Sequence, residues 1–152
     1  TVHAFEPDPL AFAELSRALG GAANVTLHGA AVGTAAGRAT LSRSADFAAD
    51  PLRRTVASTL MGGGGEGVEV EMIDLPAFLE ALPAPPALLK LDVEGAEVEL
   101  LETLEARGLL APIRHVFCET HERQFPALRA RTFALIRRLG PDGAGRVDFD
   151  WG

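Results

Sequence analysis

The hydrophobic period of the chain changes abruptly between Leu88 and Leu104, and that change restricts the fold more than any other feature. Leu88-Leu89-Lys90-Leu91 is a short, mostly apolar run set off by the break Pro83-Ala84-Pro85-Pro86. Such a run reads as a buried strand of a parallel sheet. From Glu94 onward the period becomes helical, with Leu100, Leu101 and Leu104 on one stripe and Glu97 inside that stripe. Glu99 and Glu102 fall on the opposite, solvated side. A carboxylate in the middle of an apolar face costs several kcal/mol unless something pairs with it. Asp92, Glu94, Glu97 and Glu99 therefore gather where a strand stops and a helix starts, and in open α/β sheets ligands sit at that end of a strand. Favourable placement of Glu94 and Glu97 at a helix N-terminus is the plainer explanation for either residue alone. It does not explain Asp92 and Glu97 at positions where apolar residues belong.

The rest of the chain repeats the alternation. Val2-His3-Ala4-Phe5 reads as a strand, followed by Glu6-Pro7-Asp8-Pro9, in which Asp8 suits an N-cap and Pro9 the first helical position. Phe12, Leu15 and Leu19 space as a core-facing helix that Gly20-Gly21 ends. Asn24 to Val32 reads as the next strand, closing on the small residues Gly29-Ala30-Ala31, which would let a flat ring approach the backbone. Arg38 to Ser42 is a short returning strand. Ser44 to Gly67 carries no period; Gly62-Gly63-Gly64-Gly65 is no phosphate loop, since no Lys-Ser/Thr pair follows it. Ser58-Thr59, in that segment, is a weak candidate for acceptor contact. Val68 to Met72 alternates as a half-exposed strand, and Asp74 can cap a helix carrying Leu75, Phe78, Leu79 and Leu82. Ile113 to Cys118 is a strand closing on Glu119-Thr120-His121-Glu122. Leu128, Phe133, Leu135, Ile136 and Leu139 space as a helix stopped by Gly140-Pro141, and Val147 to Trp151 is a candidate last strand. No internal repeat is present.

This order predicts a three-layer α/β sandwich with a largely parallel sheet and right-handed crossovers, in one domain over residues 1–152. Glu6, Asp92 with Glu94, and Glu119 with His121 then stand at strand ends on one sheet edge, the default location of a site. Composition narrows the partners. A net charge of −7 and a pI near 5.0 argue against a nucleic-acid partner, which would demand a basic face. The single cysteine, Cys118, forbids an internal disulfide and fits a reducing, cytoplasmic compartment; no run approaches a membrane span. One lysine among the 14 basic residues, with abundant Ala and Gly, hints at a GC-rich bacterial genome. Neither the oligomeric state nor the identity of a substrate follows from these figures.

Phe5-Glu6-Pro7, Ala30-Ala31-Val32-Gly33, Lys90-Leu91-Asp92-Val93-Glu94-Gly95-Ala96-Glu97 and Glu119-Thr120-His121 come in the order seen in FkbM-type methyltransferases. The chain resembles that family from Val2 to about His121, and the Lys-Leu-Asp-Val-Glu-Gly-Ala-Glu block is the specific part. The resemblance implies a Rossmann-like, S-adenosylmethionine-dependent enzyme that methylates oxygen on sugars or other small metabolites. It implies that Glu6, with Pro7, holds the cofactor's ribose and that Ala30 and Ala31 border its adenine. Asp92 and Glu94 would lie beside the methyl group and acceptor, with Glu119 and His121 on the acceptor side. The family's first strand and glycine-rich loop should precede Glu6 by roughly 20 residues, as in related dinucleotide folds. Only five residues precede it here. The expectation is a partial domain lacking its first, central strand and its final strands, with poor cofactor affinity on its own. His121 is the candidate base because its intrinsic pKa lies near neutrality. Asp92 with Glu94 or Glu119 could instead hold a divalent metal such as Mg²⁺, although no spacing identifies a metal loop. The rival readings are another nucleotide-binding enzyme, such as a dehydrogenase, and a non-catalytic Rossmann-like domain that has lost its cofactor.

Overall fold

A computed structural model describes residues 1–42 and 67–150. The chain divides into two compact units, Thr1–Ile73 and Asp74–Gly152. The unpatterned stretch with its glycine run, Ser58-Thr59 and Trp151 lie outside the described residues.

The first unit begins with a strand–helix–strand. β1 (Val2–Phe5) leads into α1 (Pro9–Leu19), and β2 (Val25–His28) returns parallel to β1 with Val2 opposite Val25 and Phe5 opposite His28. Asp8 caps α1 as its sequence suggests. Its Oδ1 accepts the amide hydrogens of Leu10 at 2.8 Å and Ala11 at 3.4 Å, and Pro9 needs no such partner. The apolar stripe of α1 is less covered than expected. No residue of the helix is buried, and Leu10 and Leu19 are each 40% exposed.

The strand expected over Asn24 to Val32 is broken at Gly29-Ala30. β2 stays with β1, whereas β3 (Ala31–Gly33) joins β4 (Gly37–Ser42) and β5 (Gly67–Asp74) in a second sheet of order β3-β5-β4. β4 and β5 are antiparallel, with Gly37 opposite Met72 and Ser42 opposite Gly67. Strand alternation sorts their faces. Ala31, Leu41 and Val70 are buried with Ala39, Val68 and Met72 against them, while Arg38 and Glu69 pair at 2.5 Å on the solvated side.

The second unit opens with α2 (Leu75–Ala81), capped by Asp74 through a 2.8 Å bond from the Ala77 amide. β6 (Leu88–Leu91), α3 (Glu97–Ala106) and β7 (His115–Cys118) form a second strand–helix–strand. β6 and β7 are parallel, with Leu88 opposite His115 and Leu91 opposite Cys118. Val98, Leu100, Leu101 and Leu104 bury the inner face of α3 to 3% exposure or less. α4 (Arg129–Leu139) packs on α3, reached through a 3-10 turn at Pro126–Leu128. Arg131–Glu102 at 2.5 Å and Arg138–Glu105 at 2.7 Å line the outer seam; exposed pairs of this kind contribute about 0–1 kcal/mol each.

Five expectations need correction here. Residues 93–96 are a turn and the helix begins at Glu97, because Gly95 (φ 107°) and Glu94 (φ 50°) are both left-handed. In α4, Thr132 rather than Phe133 joins Leu135 and Leu139 in the core; its hydroxyl donates to the Leu128 carbonyl at 3.1 Å, and Phe133 is 46% exposed. Leu88 is 55% exposed, because β6 has one partner strand in its sheet and buries fully only Leu91. The expected last strand is a single parallel bridge, Phe117 to Asp148. The molecule is thus α/β with parallel strand pairs joined through helices, but the described strands fall into three small sheets rather than the single sheet expected. Among the described residues no helix is long and apolar enough to cross a membrane.

Asp8 is 1% exposed and holds two amide hydrogens, so Asp8→Ala should lower stability by about 1–2 kcal/mol. Urea denaturation followed by circular dichroism checks this; the midpoint should fall with an unchanged slope, and an unmoved midpoint would refute the capping role.

Candidate active site

The site of the second unit is built around Glu97, the first residue of α3, whose side chain is 2% exposed. Its place in the leucine stripe carries it inward, and three donors meet it there. The Gly95 amide donates to Oε2 at 2.8 Å, the His121 amide donates to Oε1 at 3.0 Å, and His121 Nδ1–H donates to Oε1 at 2.7 Å. A buried carboxylate is tolerated when its lone pairs are satisfied in this way. The left-handed turn at Glu94-Gly95 is what brings the Gly95 amide back over the helix start.

Parallel pairing places the other groups. The Glu119 amide donates to the Leu91 carbonyl at 3.0 Å, carrying the β6–β7 ladder one step beyond β7. Asp92, after β6, and Glu119, after β7, thus leave the sheet at the same end. Two residues on, His121 turns inward with a side chain 5% exposed. Its Nε2 stands 3.6 Å from Glu94 Oε2 and 3.8 Å from Asp92 Oδ1. Lys90 Nζ donates to the other oxygen of Asp92 at 3.1 Å. Residues 119–124 line a polar concavity of about 290 Å³. Within that stretch Glu122 Oε2 is buried and has no hydrogen-bond partner among the described residues.

The electrostatics follow from this geometry. The hydrogen bond to Glu97 raises the His121 pKa from 6.5 to about 9, against the opposing effect of burial, and Glu94 and Asp92 add to the rise. At neutral pH His121 is therefore an imidazolium. The intrinsic pKa that recommended it as a base does not hold in this setting. Glu94 is pushed above the usual carboxylate range, chiefly by burial, with the His121 charge opposing.

The sequence-nominated residues divide between the two units. Asp92, Glu94 and His121 come together, and Glu119 stands at the same strand ends, near enough for its charge to act on Glu94. Glu6, Pro7, Ala30 and Ala31 belong to the first unit. Glu6 follows β1, its amide donating to the His28 carbonyl at 3.0 Å, and its Oε1 accepts the Asp8 amide at 2.7 Å. Burial raises its pKa. Ala30 and Ala31 are each 3% exposed, and Ala31 is part of the sheet core. The small residues around them serve internal packing: a Cβ on Gly29 would stand 3.3 Å from the Phe12 ring, and one on Gly33 2.6 Å from Met72 Sδ. Glu97 was not nominated as a site residue, though its signal was legible as a carboxylate inside a leucine stripe.

The remaining histidines pack against neighbouring rings. His3 Nδ1 and His28 Nε2 are 3.1 Å apart, and His28 stacks on Phe5 with centroids 4.4 Å apart. Burial, then the neighbouring His3, lowers the His28 pKa. His115 stacks beside Phe117. Cys118 has no exposure, and burial pushes its thiol far above the ordinary range, which removes it as a nucleophile.

An α/β chain with carboxylates and a histidine at parallel-strand ends belongs to the broad class of α/β enzymes that place their chemistry there. The family is specific: the model of the methyltransferase FkbM domain matches residues 1–140, and the chain belongs to that family. It is accordingly a methyltransferase domain. No curated protein and no solved structure matches it.

The raised His121 pKa carries a stability consequence. In chelator-treated protein the imidazolium–Glu97 bond stabilises the fold fully below about pH 6.5, the ordinary histidine value. That contribution is lost as pH rises through about 9. An NMR titration should place the His121 transition near 9 and, in Glu97→Gln, well below it; a wild-type transition near 6.5 would refute the coupling.

Proposed function

We propose that the protein transfers the methyl group of S-adenosylmethionine to a hydroxyl oxygen of a small metabolite, such as a sugar. The observation that carries this reading is the meeting of Asp92, Glu94 and His121 at the carboxyl ends of β6 and β7 in a chain of the FkbM family. The bound cofactor would supply a methyl group on an electron-poor sulfonium.

Glu6 suits the cofactor's ribose. It is half-buried at a strand end with one oxygen fixed by the Asp8 amide, so its other oxygen is oriented to accept from a hydroxyl. Pro7 and the Ala30–Ala31 step would border the nucleoside. On the acceptor side, Glu119 and the unpartnered Glu122 Oε2 favour a ligand that brings hydroxyl donors into the 119–124 concavity.

In-line displacement at carbon depends mostly on alignment of acceptor oxygen and methyl group. A hydroxyl is a weak nucleophile and gains as its proton leaves. His121, charged at neutral pH, orients and stabilises rather than abstracts. The Glu94 carboxylate, with Asp92 and Glu119 adding negative field beside it, takes the hydroxyl proton as the C–O bond forms and the methyl–sulfur bond breaks. Burial raises the Glu94 pKa and so brings its basicity closer to the working pH.

Methyl transfer from labelled S-adenosylmethionine to a panel of monosaccharides and small alcohols tests the reading in the natural full-length protein. Asp92→Asn should lower kcat by about 10²-fold or more. Full turnover in both Asp92→Asn and His121→Ala would refute the assigned roles. Glu6→Ala should weaken cofactor binding without changing kcat at saturation.

A further inference from the structure

The structure assigns to Asp92, Glu94 and His121 a binding site for one divalent first-row transition cation, of the Mn²⁺ or Zn²⁺ kind, which would also hold the acceptor oxygen. The second part rests on the methyl-transfer reading above; the first does not.

One ligand atom from each of the three residues lies within 4.8 Å of the other two. His121 Nε2 stands 3.6 Å from Glu94 Oε2 and 3.8 Å from Asp92 Oδ1. These separations are too long for hydrogen bonds. They are close to what ligands around a shared ion require: with ligand distances of about 2.1 Å, a tetrahedral arrangement sets neighbouring ligands about 3.4 Å apart.

The imidazole is the second, independent support. It is nine-tenths buried, its Nδ1–H is committed to Glu97 at 2.7 Å, and its remaining nitrogen is aimed between the two carboxylates. A carboxylate behind the distal nitrogen is the device that fixes ring orientation and tautomer in metal-binding histidines. Glu97 in turn is held by the Gly95 and His121 amides, so the ring has little freedom to turn away. Asp92 and Glu94 retain contact with solvent, which gives the ion a path of entry.

The donor set selects the ion. One imidazole nitrogen with two carboxylate oxygens suits Mn²⁺, Zn²⁺ or Fe²⁺ better than Mg²⁺, which prefers oxygen ligands and retained water. Three protein ligands leave coordination positions open. A hydroxyl oxygen bound there would become more acidic and be held in place for attack. Glu119, outside the three-residue cluster, would remain to take the proton.

The test is a titration of chelator-stripped protein with MnCl₂, following free Mn²⁺ by electron paramagnetic resonance with neither methyl donor nor acceptor present. The expected result is one ion per chain and selective paramagnetic broadening of the His121 ring resonances. Asp92→Asn and Glu94→Gln, at positions open to solvent, should keep the circular dichroism spectrum and each weaken binding at least about tenfold. Glu99→Gln, an exposed carboxylate on α3, should bind as wild type. Absence of binding, or affinity undiminished in either ligand variant, overturns the proposal. Binding with the expected variant pattern but no methyl transfer to any acceptor would leave the cation site standing and sink only the methyl-transfer reading. Full methyl transfer in chelator would overturn the part of the proposal in which the ion holds the acceptor oxygen.

Discussion

A carboxylate with 2% exposure, at the start of a helix otherwise lined by leucines, sets the terms for the second unit. Burying Glu97 unpaired would cost several kcal/mol, so the native state depends on bringing donors to it. The donors come from the turn after β6 and the loop after β7, and that loop is distant in sequence. One side chain therefore ties together three segments, the start of α3, the turn after β6 and the loop after β7. This accounts for the left-handed backbone at Glu94 and Gly95, conformations that a simple continuation of α3 would not need. A non-glycine residue at positive φ is costly, and the surrounding hydrogen bonds hold it there.

Much of the fold was legible because the elements are short and cleanly bounded. Asp8-Pro9 and Asp74 announce helix starts through side-chain oxygens that the structure shows accepting amide hydrogens. The alternation from Val68 to Met72 has a buried and a solvated face as written. The failures share a cause, which is that periodicity measures one element and not what lies against it. Phe133 satisfies the helical stripe but Thr132 is buried, because a threonine bonded to the carbonyl four residues back sits comfortably in a tight contact. The run from Asn24 to Val32 has no marked interruption in hydrophobicity, yet it changes sheets at Gly29, where the Phe12 ring occupies the space a side chain would take.

The site was legible in part for a different reason. Acidic residues at strand ends violate the expected pattern, and violations of pattern mark function more often than agreement does. Asp92 was found in this way, and Glu94 and His121 by their place at converging strand ends; the structure brings all three together. What the sequence could not show is the protonation state of the histidine. Its near-neutral intrinsic value is replaced by one near 9 through a hydrogen bond to a residue 24 positions away in sequence. Composition carries no trace of such a contact. Small residues were likewise ambiguous: Gly29 and Gly33 admit a phenyl ring and a thioether of the same unit, a use that a sequence does not distinguish from making room for a ligand.

The balance of charge joins the proton chemistry to the cation. Asp92, Glu94 and Glu97 surround His121, with Lys90 as the cationic partner of Asp92. Among these five side chains the carboxylates outnumber the cations by one, in a partly desolvated place. A divalent ion shared by the neutral imidazole and the two carboxylates would add positive charge among these groups. Exchanging the proton for that ion would alter what the site can do to a hydroxyl. An imidazolium can donate a hydrogen bond to the acceptor oxygen, whereas a metal ion lowers the energy of the oxyanion itself. Glu97 serves both states without moving, since the Nδ1–H it accepts is present in each.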